Sequence, residues 1–261
     1  MKNFLKQNDR LAIHTHTTAS GHAYNTLYEM VRAAADQGLT LFGSSDHGPA
    51  LPGSCHEMYF CNFKVIPHEL FGVKLIMGCE LNILDYQGTV DLPEYLLNRI
   101  DYAIASIHDH CYRIGTIEEN TAATVNAMKN PRVHIIGHPD NSRIPLNYEI
   151  LVSQAKEHHV LLEVNNSSLK PNSPRPGARA NYETMLPLCR RYNVPIIIGS
   201  DAHCACDAGN HEYAHALLAE LDFPPELVVN TDLKKLAEYA SANPETLRML
   251  ELMRLKLEPF L

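Results

Sequence analysis

Three histidines near the start of the chain have a spacing that suits a metal site. His14 and His16 are separated by one residue, and His22 follows in a loop that contains glycine. If a strand begins at Leu11, the alternation of side chains points His14 and His16 to the same side. Neutral imidazole is the commonest metal-binding side chain, and two rings held on one strand converge on one cation. A single pair is also compatible with two surface histidines that bind nothing.

Similar residue types return along the chain, each time shortly after an apolar run. They are His47 after residues 39–44, Glu80 after 73–79, His108 after 101–107, His138 after 133–137, and Asp201 with His203 after 195–199. Imidazole nitrogens with carboxylate oxygens suit Zn²⁺, Mn²⁺ or Fe. A carboxylate can also bridge a pair of ions roughly 3.5–4 Å apart, and Glu80 or Asp201 is the expected bridge.

The apolar runs are predicted to be strands that alternate with helices. Seven strands begin near residues 11, 39, 73, 101, 133, 160 and 195. Helical patterns cover residues 25–38, 58–71, 116–130, 147–159, 178–192, 209–221, 231–240 and 244–255. This alternation predicts a parallel sheet buried on both faces, either closed as a barrel or doubly wound. No glycine-rich nucleotide-binding fingerprint follows a strand, so a βα barrel is favoured, with its active site at the carboxyl ends of the strands.

Size and charge limit the class of protein. The chain has 261 residues and no break in composition, which predicts one domain over 1–261. A net charge of −8 disfavours nucleic acid as the main partner but allows a small anionic substrate. The sequence has no signal-peptide core and no run of about 18 apolar residues, and its 7 cysteines are irregularly spaced. A soluble, cytoplasmic protein is therefore expected, and a homo-oligomer is compatible with the sequence.

Taken together, these motifs resemble the PHP (polymerase and histidinol phosphatase) superfamily. The motifs are His14-x-His16 with His22, Ser45-Asp46-His47-Gly48, Gly78-Cys79-Glu80, Ile107-His108, Gly137-His138-Pro139 and Gly199-Ser200-Asp201-Ala202-His203. The YcdX-type stand-alone phosphatase branch is similar in three further motifs. These are His22-Ala23-Tyr24, Glu163-Val164-Asn165-Asn166-Ser167-Ser168 and Asp222-Phe223-Pro224-Pro225.

The resemblance implies an α/β fold, a distorted TIM-like (β/α)7 barrel, with a trinuclear metal site and phosphoesterase activity. The implied ligands are His14, His16, Glu80 and Asp201 for one ion, Glu80, His108 and His138 for a second, and His22, His47 and His203 for a third. Zn²⁺ is the expected metal, with Mn²⁺ or Fe compatible. The family usually has an acidic residue where this chain has Ala12, so a contact that orients the first ion's ligands is missing or replaced.

The expected reaction is hydrolysis of small phosphomonoesters. Metal ions bind phosphate oxygens and lower the pKa of a bound water from 15.7 towards about 7, and the resulting hydroxide attacks phosphorus. The predicted catalytic residues are Glu80, Asp201 and His203, and the candidates for phosphate binding are Arg143, Arg175 and Arg179. The three arginines are equally compatible with solvated loop charges. Asp109 or His110 could serve as an additional ligand or proton donor, and Asp46 is expected to orient an imidazole.

Three other functions remain open. A PHP-type exonuclease or phosphodiesterase would use the same site on nucleic acid, although the acidic charge disfavours it. An amidohydrolase-like enzyme also has His-x-His after the first strand, but it is expected to carry a bridging lysine on strand four, and here Glu80 on strand three takes that place. A metal-storage or scaffold protein is compatible with the same ligands.

Overall fold

The computed structural model describes residues 9–231, and these form a parallel sheet that curls into a nearly closed barrel. In sheet order the parallel strands are β1 (Leu11–Ala12), β2 (Leu41–Ser44), β4 (Val73–Asn82), β5 (Tyr102–Ser106), β6 (Ile135–Ile136), β7 (Leu161–Asn165) and β8 (Ile196–Gly199). A further short strand, β3 (Glu69–Leu70), runs antiparallel to β4. The predicted α/β barrel of seven parallel strands is confirmed.

Helices connect most of these strands and cover the outside of the barrel. They are α1 (Leu27–Asp36), α2 (Met58–Cys61), α3 (Glu94–Leu97), α4 (Ile117–Met128), α5 (Tyr148–His158), α6 (Ala178–Tyr192) and α7 (Glu212–Glu220). Capping boxes fix the starts of α1 and α4, where Thr26 pairs with Glu29 and Thr116 with Glu119. In the described part of the chain, no helix combines the length and the apolar character needed to cross a bilayer.

The helix predicted for residues 58–71 is wrong beyond its first turns. Ile66 has an extended backbone because Pro67 disfavours the helical conformation of the residue before it. The chain then forms β3 and turns back into β4 through Phe71 and Gly72, with φ angles of 55° and 78°. Two successive positive φ angles are the conformation of a tight hairpin, which the propensity of this segment does not reveal. The helices predicted at 231–240 and 244–255 lie outside the described residues, apart from residue 231.

The barrel closes between its first and last strands through a third segment. Near the carboxyl ends, Thr15 and Ala202 form a parallel bridge between the two strands. Lower down, residues 228–230 lie between β1 and β8. The Asn230 carbonyl accepts from Arg10 N at 2.7 Å, and the Asn230 amide bonds both backbone groups of Ile198, at 2.7 and 2.8 Å. The Asn230 amide thus takes the hydrogen bonds that a neighbouring strand would make with Ile198 of β8.

Apolar side chains fill the barrel below its carboxyl end. The inward-facing set is Leu11, Ile13, Leu41, Ile76, Tyr102, Ile104, Ile135, Leu161, Ile197 and Val229. The Tyr102 hydroxyl donates to the Ile13 carbonyl at 2.6 Å, so its polar end is satisfied inside the barrel. A Cβ at Gly78 would lie 2.4 Å from the Tyr102 ring, which explains glycine at that position. The polar inward-facing residues therefore lie between this apolar layer and the carboxyl end of the barrel.

Asn230→Ala should lower the free energy of unfolding by about 3 kcal/mol, because it leaves the buried amide and carbonyl of Ile198 without partners. Urea denaturation measures the change. Asn98→Ala, which removes an exposed asparagine, is the matched control and should cost less than about 0.5 kcal/mol. Equal urea midpoints for the two variants would show that the Asn230 contacts do not stabilise the barrel.

Candidate metal centre

The carboxylate of Glu80 lies at the centre of a group of histidines at the carboxyl end of the barrel. Glu80 is fully buried on β4. Its Oε1 lies 2.8 Å from His138 Nε2 and 3.3 Å from His108 Nε2, and its Oε2 lies 2.8 Å from His47 Nδ1. The three histidines therefore follow three different strands, β2, β5 and β6. Their convergence is the arrangement that the sequence pattern predicts.

On the other side of Glu80, two imidazoles lie between two carboxylates. His14 Nε2 lies 3.4 Å from Glu80 Oε2 and 3.6 Å from Asp201 Oδ1, and His16 Nε2 lies 3.4 and 3.2 Å from the same two oxygens. Two ligands of a tetrahedral zinc ion, each about 2.0–2.1 Å from the metal, lie about 3.3 Å apart. These four distances fit that spacing and are long for hydrogen bonds.

Hydrogen bonds on the outer side of five rings fix which nitrogen faces the centre. In each ring Nδ1 bonds an oxygen: His14 to Glu163 Oε1, His16 to Ser20 Oγ, His22 to Ser20 O, His108 to Asn82 Oδ1 and His203 to Asp201 O. A neutral ring that donates through Nδ1 presents a lone pair at Nε2. His22 Nε2 and His203 Nε2 lie 2.9 Å apart, so the two rings turn the same nitrogen to one point.

Several buried atoms at this centre have no hydrogen-bond partner among the described residues. They are His14 Nε2, His16 Nε2, His47 Nδ1, Glu80 Oε2, His108 Nε2 and Asp201 Oδ1. Buried polar atoms are almost always paired, and leaving one unpaired costs about 1–3 kcal/mol. All six are donor atoms for divalent metals, so the residues present fit a metal centre.

The protonation states also suit metal ligands. Burial opposes ionisation of Asp201, but the Arg175 guanidinium at 2.9 Å and nearby His14 hold the Asp201 pKa well below its usual range. Burial and the neighbouring Arg175 lower the pKa of His138 to about 4. Burial likewise lowers the pKa of His16. Near neutral pH this gives an ionised carboxylate and neutral imidazoles, which are the states that bind cations.

His14 differs from the other rings. Burial alone would lower its pKa, but the carboxylates of Glu163, Glu80 and Asp201 outweigh burial and raise it well above the usual value. Three carboxylates therefore attract positive charge to the position of His14 Nε2. A divalent cation bound there would provide that charge without a proton.

Glu163 contacts two candidate ligands, His14 and His138, although the sequence motifs gave it no role in the centre. It is buried on β7, where Oε1 accepts from His14 Nδ1 and Oε2 from the backbone N of His138, both at 2.6 Å. A Cβ at Gly199 would lie 1.7 Å from Glu163 Oε1, so glycine is needed for the carboxylate to reach His14. Ala12 stands where the family resemblance leads us to expect an acidic residue, and it packs in an outer apolar cluster with Met30. A charged residue within the apolar run 160–164 was the available signal.

Asp46 acts indirectly, through a network of hydroxyl groups. Its carboxylate accepts hydrogen bonds from the Ser20 and Tyr59 hydroxyls, both at 2.7 Å, and from the backbone and side chain of Thr17. Ser20 Oγ in turn contacts His16 Nδ1 at 3.1 Å. Asp46 therefore fixes the loop that holds His16, in line with a role in orienting an imidazole.

Two candidate ligands have an unusual backbone. His138 has a φ angle of 28° and Asp201 one of 50°, in the left-handed region that residues other than glycine seldom adopt. Such residues cost of order 1–3 kcal/mol each and cluster at functional sites. Here the positive φ angles follow β6 and β8 and accompany side chains that face the centre.

A cavity of about 550 Å³ opens over the centre. Arg143 and Arg175 line it, together with Asp109 and His110, whose Oδ1 and Nδ1 lie 2.9 Å apart. Arg175 also bonds Asp201 Oδ2, so part of its guanidinium is already engaged. Arg179 lies elsewhere, paired with Glu183 and Glu220 on the surface, and does not line this cavity. The structure thus brings two of the three candidate arginines to the centre.

The strand ends define the class of protein: a parallel βα barrel that gathers histidines and carboxylates into one centre at its carboxyl end. The chain belongs to the PHP domain family, whose model matches residues 12–228. The resemblance inferred from the motifs is therefore confirmed.

Relatives agree with this membership, and a solved structure has a similar fold. The chain is 47% identical over 229 residues to a protein of Clostridium novyi named "Probable phosphatase", covering 88% of this chain and 93% of that one. It is 42% identical over 235 residues to a "Probable phosphatase" of Acetivibrio thermocellus, covering 90% and 96%. The fold is similar to that of histidinol phosphate phosphatase from Lactococcus lactis in complex with zinc, L-histidinol and phosphate. That match has a TM-score of 0.56 at 17% identity and covers 83% of this chain and 95% of that one.

Glu163→Gln should weaken metal binding about 10–100-fold, because an amide holds the His14 ring less firmly than a carboxylate. Competition with a chromophoric chelator measures the affinity. Glu183→Gln, an exposed change of the same type on α6, should leave it unchanged. Unaltered affinity in Glu163→Gln would mean that the carboxylate does not orient a ligand.

Proposed function

We propose that the protein is a metal-dependent phosphatase that hydrolyses phosphomonoesters at a centre of three divalent ions, with Zn²⁺ as the expected metal. The observation that carries the proposal is the set of six buried donor atoms without partners in the described residues, all at one end of the barrel. The names of the relatives as phosphatases support the same class of reaction. Zinc and phosphate in the Lactococcus lactis structure are consistent with it.

Nine side chains are proposed as ligands. The first ion would take His14, His16, Glu80 and Asp201, the second Glu80, His108 and His138, and the third His22, His47 and His203. The near-tetrahedral spacing around His14 and His16 supports the first group. Contacts of both Glu80 oxygens with imidazoles support a bridging role for its carboxylate. His47 lies close to Glu80 as well as to the ring of His16, so it stands between the groups.

Divalent ions at these positions would neutralise phosphate oxygens and lower the pKa of a bound water. Within this chain, Glu80, Asp201 and His203 would hold the ions in place, and Arg175 would keep Asp201 ionised and oriented. Arg143 lines the cavity and is exposed, so its guanidinium is available to a phosphate. The apolar side chains of Leu51, Ile107 and Ile144 on the cavity wall suit the organic part of a small ester.

Two broader assignments are part of the proposal. The family match over residues 12–228 supports one PHP domain for the chain 1–261. The free state of all 7 cysteines supports a reducing compartment such as the cytoplasm.

Glu80→Gln should lower kcat for p-nitrophenyl phosphate at least about 100-fold and reduce the metal content, because a neutral amide cannot bridge two cations. Turnover with metal analysis on the same sample checks both effects. Glu57→Gln, at a half-buried position outside the centre where the carboxylate accepts from the Tyr95 hydroxyl, is the control. Near-wild-type turnover with full metal content in Glu80→Gln would remove the proposed bridge.

Arg143→Ala should raise KM for a phosphomonoester about 10-fold, because a charged hydrogen bond to phosphate contributes about 1.5–3 kcal/mol, and it should change kcat less. Arg179→Ala serves as the control, since that side chain pairs with Glu183 and Glu220 away from the cavity. Steady-state kinetics separate the two constants. A rise in KM for Arg179→Ala but not for Arg143→Ala would reverse the assignment.

A further inference from the structure

A second cluster of potential ligands lies outside the candidate metal centre. Asp9 precedes β1, and its Oδ2 lies 2.7 Å from His211 Nδ1 and 2.6 Å from His215 Nε2. His211 and Asp9 are 202 residues apart in the chain. His211 caps α7 and His215 lies within it, so their spacing of four residues places both rings on one side of the helix. Three ligand atoms from two distant elements thus converge.

The cluster is buried, and hydrogen bonds within it do not satisfy it. His211 is 3% exposed and His215 is fully buried. Asp9 Oδ1, His211 Nε2 and His215 Nδ1 have no hydrogen-bond partner among the described residues. An anionic oxygen beside two imidazoles is a donor set for a divalent transition metal.

We propose that Asp9, His211 and His215 form a separate binding site for a divalent transition metal such as Zn²⁺. The segment from His211 to His215 reads His-Glu-Tyr-Ala-His, which is the His-Glu-x-x-His spacing that binds zinc on a helix. In zinc peptidases the glutamate of this motif acts as a base. Here Glu212 is exposed while both histidines are buried, so the site is structural and does not admit a substrate.

The contacts of the two rings with Asp9 are shorter than the spacing of zinc ligands. At 2.6–2.7 Å the two rings donate N–H groups to Asp9 Oδ2, whereas zinc ligands lie about 3.3 Å apart. On binding, the proton of each ring would move from the nitrogen beside Asp9 (Nδ1 of His211, Nε2 of His215) to the other ring nitrogen. The nitrogen beside Asp9 would then bind the metal, so no net proton is lost. The unpaired Asp9 Oδ1 offers a fourth donor atom. The ion would then join the segment before β1 to α7, beside the place where residues 228–230 close the barrel.

Metal analysis of the full-length protein after dialysis against Zn²⁺ and removal of free metal tests the site. Wild type should hold one more Zn²⁺ per chain than Asp9→Asn or His215→Gln, and His158→Gln should match wild type. Both site variants should keep the wild-type kcat per active centre, because they do not contact that centre. Glu80→Gln should lose metal from the active centre and keep this ion, which separates the two sites even if the proposed phosphatase activity is wrong.

Two further measurements test the site, and the first of them needs only the wild-type protein. Anomalous diffraction at the zinc edge should give a peak within about 2.0–2.2 Å of ligand atoms of Asp9, His211 and His215 in wild-type crystals. Free Zn²⁺ at 100 times its dissociation constant should raise Tm by about 5 °C more in wild type than in Asp9→Asn. No anomalous peak at the cluster, or equal metal content and equal Tm shifts in wild type and Asp9→Asn, would show a hydrogen-bonded cluster without a cation.

Discussion

The candidate centre depends on the burial of negative charge at the carboxyl end of the barrel. Glu80, Glu163 and Asp201 are at most 5% exposed, and Arg175 is the one arginine or lysine paired with any of them in the described part of the chain. Transfer of an ion from water into a protein costs several kcal/mol unless an opposite charge compensates. These carboxylates raise the pKa of His14, so they attract positive charge to this end of the barrel. Cations held between these groups would balance the carboxylates.

The rest of the barrel makes room for this arrangement. Tyr102 and its apolar neighbours close the interior from below, so water reaches the polar residues from the cavity side. Gly199 leaves the space that the Glu163 carboxylate occupies. His138 and Asp201 adopt positive φ angles two residues after the ends of β6 and β8. The packed strands hold both residues in this strained backbone conformation. The conformation directs their two side chains to one point.

The sequence predicts those features that depend on neighbouring residues. Apolar runs predicted the seven strands, and periodic patterns predicted helices. The limits of α6 agree with the predicted 178–192. The His and carboxylate residues after these strands could be grouped because parallel strands end at one side of a barrel. The hairpin at Phe71, the insertion of residues 228–230 and the bond from Glu163 to His14 were missed. Each depends on contacts between distant segments, which local propensity does not encode.

Metal binding and folding should therefore be coupled in this protein. Six buried donor atoms at this centre lack hydrogen-bond partners among the described residues. Each defect is a cost that the folded chain bears and the unfolded chain does not. A ligand that binds the folded state alone stabilises it in proportion to the logarithm of its concentration over its dissociation constant. The buried donor atoms that lack partners within the protein are thus the ones that would make its metal affinity high.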